Sequence, residues 1–217
     1  MQTLTEKVYK LAPPGGLFDE TVVRNLFPDL SAGGRKAIVH RAVRKGEVLR
    51  LKPGLYCLGE EYRKSHPHPF VVAGMIHGPS HISLESALSY YGLIPEAVYQ
   101  VTSVTERRSR SFKTHFAHFS FERVPANYPR AGVSVVRMSE DGWAFLASPL
   151  RALADLIYLR KSVQWERDRL EFLTESMRIE GDDLKEISMR DFDEIIESSR
   201  NRRTREYLKG LWKELRR

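Results

Sequence analysis

At Pro53-Gly54 the chain has little choice but to turn back on itself. Proline fixes φ near −65° and glycine accepts φ > 0, which suits the two central positions of a type II turn. Short apolar runs flank the turn, VLRL before it and LYCL after it, so GEVLRLKPGLYCL (residues 46–58) is expected to form a hairpin. An isolated two-stranded hairpin is marginal in water, so this one must rest on a neighbour.

Three helix-like segments precede it. In TLTEKVYKLA, Leu4, Val8 and Leu11 share one face, Thr3 or Thr5 can cap, and PPGG stops the helix. Asp19 can cap a second helix that turns Val22, Val23, Leu26 and Phe27 inward and closes at Pro28. Ser31 can cap a third that runs to about Lys45, with Gly46 as its break. Helix, helix, helix and hairpin, in that order, make a winged helix–turn–helix.

At 100° per residue the third helix separates into two faces. Ile38, Val39, Ala42 and Val43 fall on one side. Lys36, His40, Arg41, Arg44 and Lys45 fall on the other, with Arg35 in the first turn and no acid before Glu47. An ordinary surface helix has the same periodicity, but a face of one sign fits a major groove better. On this reading Lys36, His40, Arg41 and Arg44 read bases, and Arg35 and Lys45 belong to the same DNA-binding set. Ser31 and the helix N-terminus, with Arg50 and Lys52 on the wing, hold phosphates. The Gly33-Gly34 pair allows a close backbone approach there.

Charge is segregated along the chain. Residues 1–64 hold 12 Lys/Arg against 7 Asp/Glu, residues 65–199 hold 15 against 19, and the last 18 residues hold 8 against 2. Basic ends around an acidic middle suit an anionic partner such as nucleic acid. The single cysteine, Cys57, excludes an internal disulfide and fits a reduced, cytoplasmic setting, best read as a small buried hydrophobe. The N-terminal stretch lacks the apolar core of a signal peptide, and no apolar run reaches about 18 residues.

The Pro-flanked stretch GEEYRKSHPHP (59–69) is expected to divide residues 1–62, the DNA-binding domain, from residues 63–217, an α+β domain with a helical C-terminal part. In the second domain Ser83 can cap a helix, LESALSYYG. Four strands are expected: VYQVTSVTE, THFAHFSFERV, VSVVRM and DGWAFLA, with RRSRSFK as a basic turn after the first. Ser148-Pro149 opens the helix PLRALADLIYLRK, and WERDRLEFLTESMRI, MRDFDEIIESSR and RTREYLKGLWKELRR follow as helices.

No constellation argues for an enzyme, a cofactor or a metal. Phosphate-binding glycine loops and a G-x-S-x-G elbow are both lacking. His66 and His68 sit in the linker, while His115 and His118, sharing a strand at odd spacing, would point to opposite faces. Asp155 on its apolar helix suits a surface or interface hydrogen bond better than catalysis. Arg107, Arg108, Arg110 and Lys113 form a second candidate contact to DNA or a partner, read equally well as a solvated hairpin tip. Arg202, Arg203, Arg205 and Lys209 on the last helix form another, with a solvated basic face as the alternative.

AIVHRAVRKGEVLRLKPGLYCL, followed by SHISLESALSYYGLIPEAVYQVTSVTERRSRSFKTHFAHFSFERV and later SPLRALADLIYL, resembles the AbiEi-type antitoxins of type IV toxin–antitoxin systems. The matches span roughly residues 17 to 160, and SLESALSYYGLI with its Val-Thr strand is the most specific. The resemblance implies a winged helix that binds inverted repeats in its own promoter and represses the operon. It also implies a C-terminal domain that counters a nucleotidyltransferase-like toxin without a stable complex. A stand-alone regulator, or an enzymatic C-terminal domain that modifies a toxin, are the alternatives.

Overall fold

Thr3 opens the first helix, α1 (Leu4–Leu11), with a reciprocal cap. Its hydroxyl accepts from Glu6 N, and the Glu6 carboxylate accepts from Thr3 N. The computed structural model describes residues 3–95, 99–140, 142–185, 187 and 191–216 and is a mixed α+β fold. After α1 come β1 (Leu17–Asp19), α2 (Glu20–Leu26), α3 (Ala32–Arg44), β2 (Val48–Lys52) and β3 (Leu55–Leu58). Asp19 caps α2, its Oδ1 accepting from Val22 N at 3.0 Å, and Ser31 Oγ caps α3 by accepting from Gly34 N at 3.1 Å. Gly46 (φ 74°) ends α3, and Gly54 (φ 82°) reverses the hairpin as its Pro-Gly turn requires. Leu11, on the same helical face as Leu4 and Val8, is exposed, and the chain leaves the helix through a left-handed Ala12. Thr5 turns inward instead, and its hydroxyl donates to Glu47 Oε2 at 2.7 Å.

β1, β3 and β2 form an antiparallel sheet with β3 in the middle. Alternate side chains of a strand face opposite ways, and here both faces are covered. Tyr56 and Leu58 join Leu4, Val8, Phe18, Val23, Val39 and Val48 in one core. Leu55 and Cys57, with Leu17 and Leu51, join a larger core supplied mainly by residues beyond 63. The linker carries a 3₁₀ turn over Glu60–Tyr62, yet apolar packing runs past it.

Beyond the linker stand α4 (Pro69–Ile76), β4 (His81–Ile82), α5 (Leu84–Tyr90), β5 (Gln100–Thr105), β6 (Arg110–Lys113), β7 (His118–Arg123), β8 (Val133–Ser139) and β9 (Gly142–Ala147). These strands form a six-stranded sheet, β6-β7-β5-β4-β9-β8, in which β5/β7 and β4/β9 are parallel. Ser148 caps α6 (Pro149–Leu159), whose residues Leu150–Ile157 are all buried. The short α7 (Trp165–Asp168) and α8 (Gly181–Lys185), then α9 (Asp191–Ser198) and α10 (Arg202–Leu215), complete the fold. Among the described residues no helix is long and apolar enough to cross a membrane.

Four local expectations need correction. Arg110 and Lys113 lie in β6 rather than in a turn, because Thr114 closes a tight reversal by accepting from Phe116 N and Ala117 N. His115 and His118 therefore do not share a strand. Ser83 does not cap α5, since its hydroxyl donates to Asp155 Oδ2 at 2.7 Å. The helix expected over residues 165–179 breaks at Arg169 (φ 38°) and resumes as a π turn over Phe172–Ser176. Val98, Asp141, Met189, Arg190 and Arg217, ends of expected elements, lie outside the described residues.

Candidate nucleic-acid interface

α3 is held by its apolar side and leaves its basic side free. Val39 and Ala42 are buried, and Ile38 and Val43 pack on the same core. Lys36, His40, Arg41, Arg44 and Lys45 are exposed, and the helix holds no acid. Glu47 Oε1 lies 3.6 Å from Lys45 Nζ. Arg50, on the edge strand β2, is exposed as well.

Other members of the expected set are engaged inside the protein. The Arg35 guanidinium donates to the carbonyls of Leu30 and Phe27, bracing the turn between α2 and α3. Ser31 spends its hydroxyl oxygen on the cap. Lys52 Nζ donates to Ile76 O at 2.6 Å, tying the hairpin to the end of α4. Arg24 on α2 was not anticipated. It lines a cleft of about 270 Å³ with Arg35, Lys36 and Glu20, where α2 meets the start of α3. As the only basic residue between Lys10 and Arg35, it stood out in the sequence only by isolation.

The second basic group meets the hairpin at His77, which follows α4. Burial lowers the imidazole pKa below its ordinary 6.5; the peptide of Arg108 acts in the opposite direction, and the charges of Arg110, Arg107 and Lys52 lower it further. His77 Nε2 is buried with no partner among the described residues, as suits a neutral ring. Arg107, Arg108, Arg110 and Lys113 are exposed.

On α10 the expected contacts divide. The Arg203 guanidinium donates to the carbonyls of Ile157 (2.8 Å), Tyr158 (3.1 Å), Arg160 (3.1 Å) and Val163, satisfying the open end of α6. Arg205 donates to Ser199 O and Arg200 O, each at 2.9 Å. Arg202 is exposed and bonds Glu206 Oε1 at 2.6 Å; Lys209 is exposed.

A buried charge network joins α6 to β4 and to Ser83. Asp155 Oδ1 accepts from Arg151 Nε at 2.9 Å, and Oδ2 accepts from Ser83 Oγ and lies 3.3 Å from His81 Nε2. Burial would raise the carboxyl, but Arg151, His81 and Ser83 overcome it and hold it below the ordinary 3.8. Cys57 is buried, and that burial raises its thiol pKa against the influence of Arg63. Among the described residues no group of three or more His, Cys, Asp or Glu is placed to hold a metal. No family model matches the chain, and no curated protein matches it.

Proposed function

We propose that the protein is a winged-helix repressor that binds double-stranded DNA sequence-specifically at its own promoter, and that it serves as a type IV antitoxin. The observation that carries the DNA-binding reading is the exposed face of α3, four basic side chains continued by Lys45 at the C-cap, with no acid on the helix. The element order and the β1-β3-β2 sheet support the winged-helix reading. In this reading Lys36, His40, Arg41 and Arg44 enter the major groove, and the N-terminus of α3 and Arg50 meet phosphates. Arg35 and Lys52 position these groups from behind. The antitoxin role, and a nucleotidyltransferase-like toxin as functional partner, rest on the sequence resemblance. The protein acts by binding, in the cytoplasm, without cofactor or turnover.

The test is a footprint of the full chain on the DNA upstream of its own gene, compared with a Lys36→Ala/Arg41→Ala/Arg44→Ala variant. Protection of an inverted repeat, lost in the variant at unchanged melting temperature, is the expected result; equal protection refutes the docking. Co-expression with a neighbouring toxin tests the other half: the same variant should still restore growth, because it spares the second unit.

A further inference from the structure

The second unit contains a cavity of about 340 Å³ that the DNA-binding reading does not use. An engineered apolar cavity of about 150 Å³ accepts benzene, so this one has room for a substituted ring. Its walls are mainly apolar: Met75 on α4, Val104 on β5, Val133 on β8, and Trp143 and Phe145 on β9. Met75, Trp143 and Phe145 are left 40%, 58% and 46% exposed, unusual for side chains whose burial is favourable. The register places His81 opposite Val104, and Ile82 opposite Leu146. His81 is therefore level with Phe145 on the same face of the sheet.

Two arginines, Arg130 and Arg151, are among the lining residues. Arg151 contributes to the wall although only 3% exposed; its Nε is on Asp155, and its Nη1 donates to Ala131 O at 2.9 Å. Its second terminal nitrogen, Nη2, bonds none of the described residues. The Arg130 guanidinium lies 5.9 Å from the centre of the Phe145 ring, exposed and without a carboxylate at ion-pair distance among the described residues. The acids nearby are Asp155, behind the wall and spent on Arg151, Ser83 and His81, and Glu106, exposed among the lining residues. A mainly apolar cavity with two arginines in its lining matches a ligand with an apolar body and one carboxylate.

We propose that this cavity binds a small aromatic or branched-aliphatic carboxylate. Its body lies against Met75, Trp143 and Phe145, and its carboxylate accepts from Arg151 Nη2 and Arg130. Asp155 fixes the Arg151 fork from behind, as a positioning residue.

Calorimetric titration of the full chain with phenylacetate, phenylacetamide and phenethylamine tests this without reference to DNA. Phenylacetate should bind saturably, with Kd of about 1 mM for a ligand of this size, the amide at least about fivefold more weakly, and the amine not measurably. Arg130→Gln and Trp143→Ala alter exposed side chains and should each weaken phenylacetate by about five- to tenfold at unchanged melting temperature. Absence of saturation, equal binding of all three compounds, or indifference to both variants would overturn the proposal. So would concentration-dependent self-association that Trp143→Ala abolishes, because the exposed face would then be a contact between copies of the chain.

Discussion

On α3, Arg41 and Arg44 stand in solvent with no carboxylate at ion-pair distance among the described residues. On α6 and α10, Arg151 and Arg203 are instead taken up by carbonyls and a buried carboxylate of the same chain. The five donors of a guanidinium can satisfy several acceptors at once, so where a helix end or a buried acid needs partners, arginine becomes structural. Where the surroundings offer none, the donors remain for a ligand. Counting basic residues treats the two regions alike; asking what each guanidinium already holds separates them.

The comparison breaks most easily at Asp155. Replacing it by alanine leaves Arg151 buried without its counter-charge, which should cost about 3–5 kcal/mol in urea unfolding. No substitution on the outer face of α3 should approach that. Arg203→Met removes the donors at the end of α6 and should cost about 2–3 kcal/mol of stability, with operator affinity unchanged at saturating folding. Arg44→Ala should do the reverse, losing about 1–3 kcal/mol of operator binding with no shift in the urea midpoint. Arg50→Gln, if Arg50 meets a phosphate, should lower the log–log salt slope of DNA binding by about 1, whatever the sequence.

The smallest effect concerns pH. His77 has its folded pKa below the unfolded 6.5, so below that value the unfolded state holds more protons. The stability is present above pH 6.5 and falls as the pH drops toward the folded pKa. Thermal melts at pH 7 and pH 5 should show the decline, and His77→Gln should shrink it. Asp155 acts in a separate window: its stabilisation is present above 3.8 and disappears as the pH falls through its lowered pKa.

Local chemistry was legible in the sequence wherever a cap or turn is decided within four residues. Asp19, Ser31 and Ser148 all cap where their side chains suggested, and Pro53-Gly54 turns as expected. The two-faced pattern of α3 was equally legible, since Val39 and Ala42 are buried beneath an exposed basic row. Partners distant in sequence were not. Ser83 looked like a cap until Asp155, 72 residues away, claimed its hydroxyl. Arg203 looked like a surface charge until α6 ended beside it. Gly210 broke an otherwise good helical pattern for a reason that only packing reveals: a Cβ there would meet the Trp165 ring at 2.2 Å. Nor could spacing show that Lys52, Arg107 and Arg110 all act on the charge of His77.

β3 carries a consequence for how such a protein can be altered. Its two faces belong to different cores, with Tyr56 and Leu58 on one side and Leu55 and Cys57 on the other. Grafting residues 1–62 onto an unrelated effector unit would strip cover from Leu17, Leu51, Leu55 and Cys57 together. A functional chimera therefore has to bring a matching apolar surface or replace those four side chains with polar ones. The same arrangement ties the basic helix to the sheet behind it, since Val39 of α3 packs in one core with Tyr56 and Leu58 of β3.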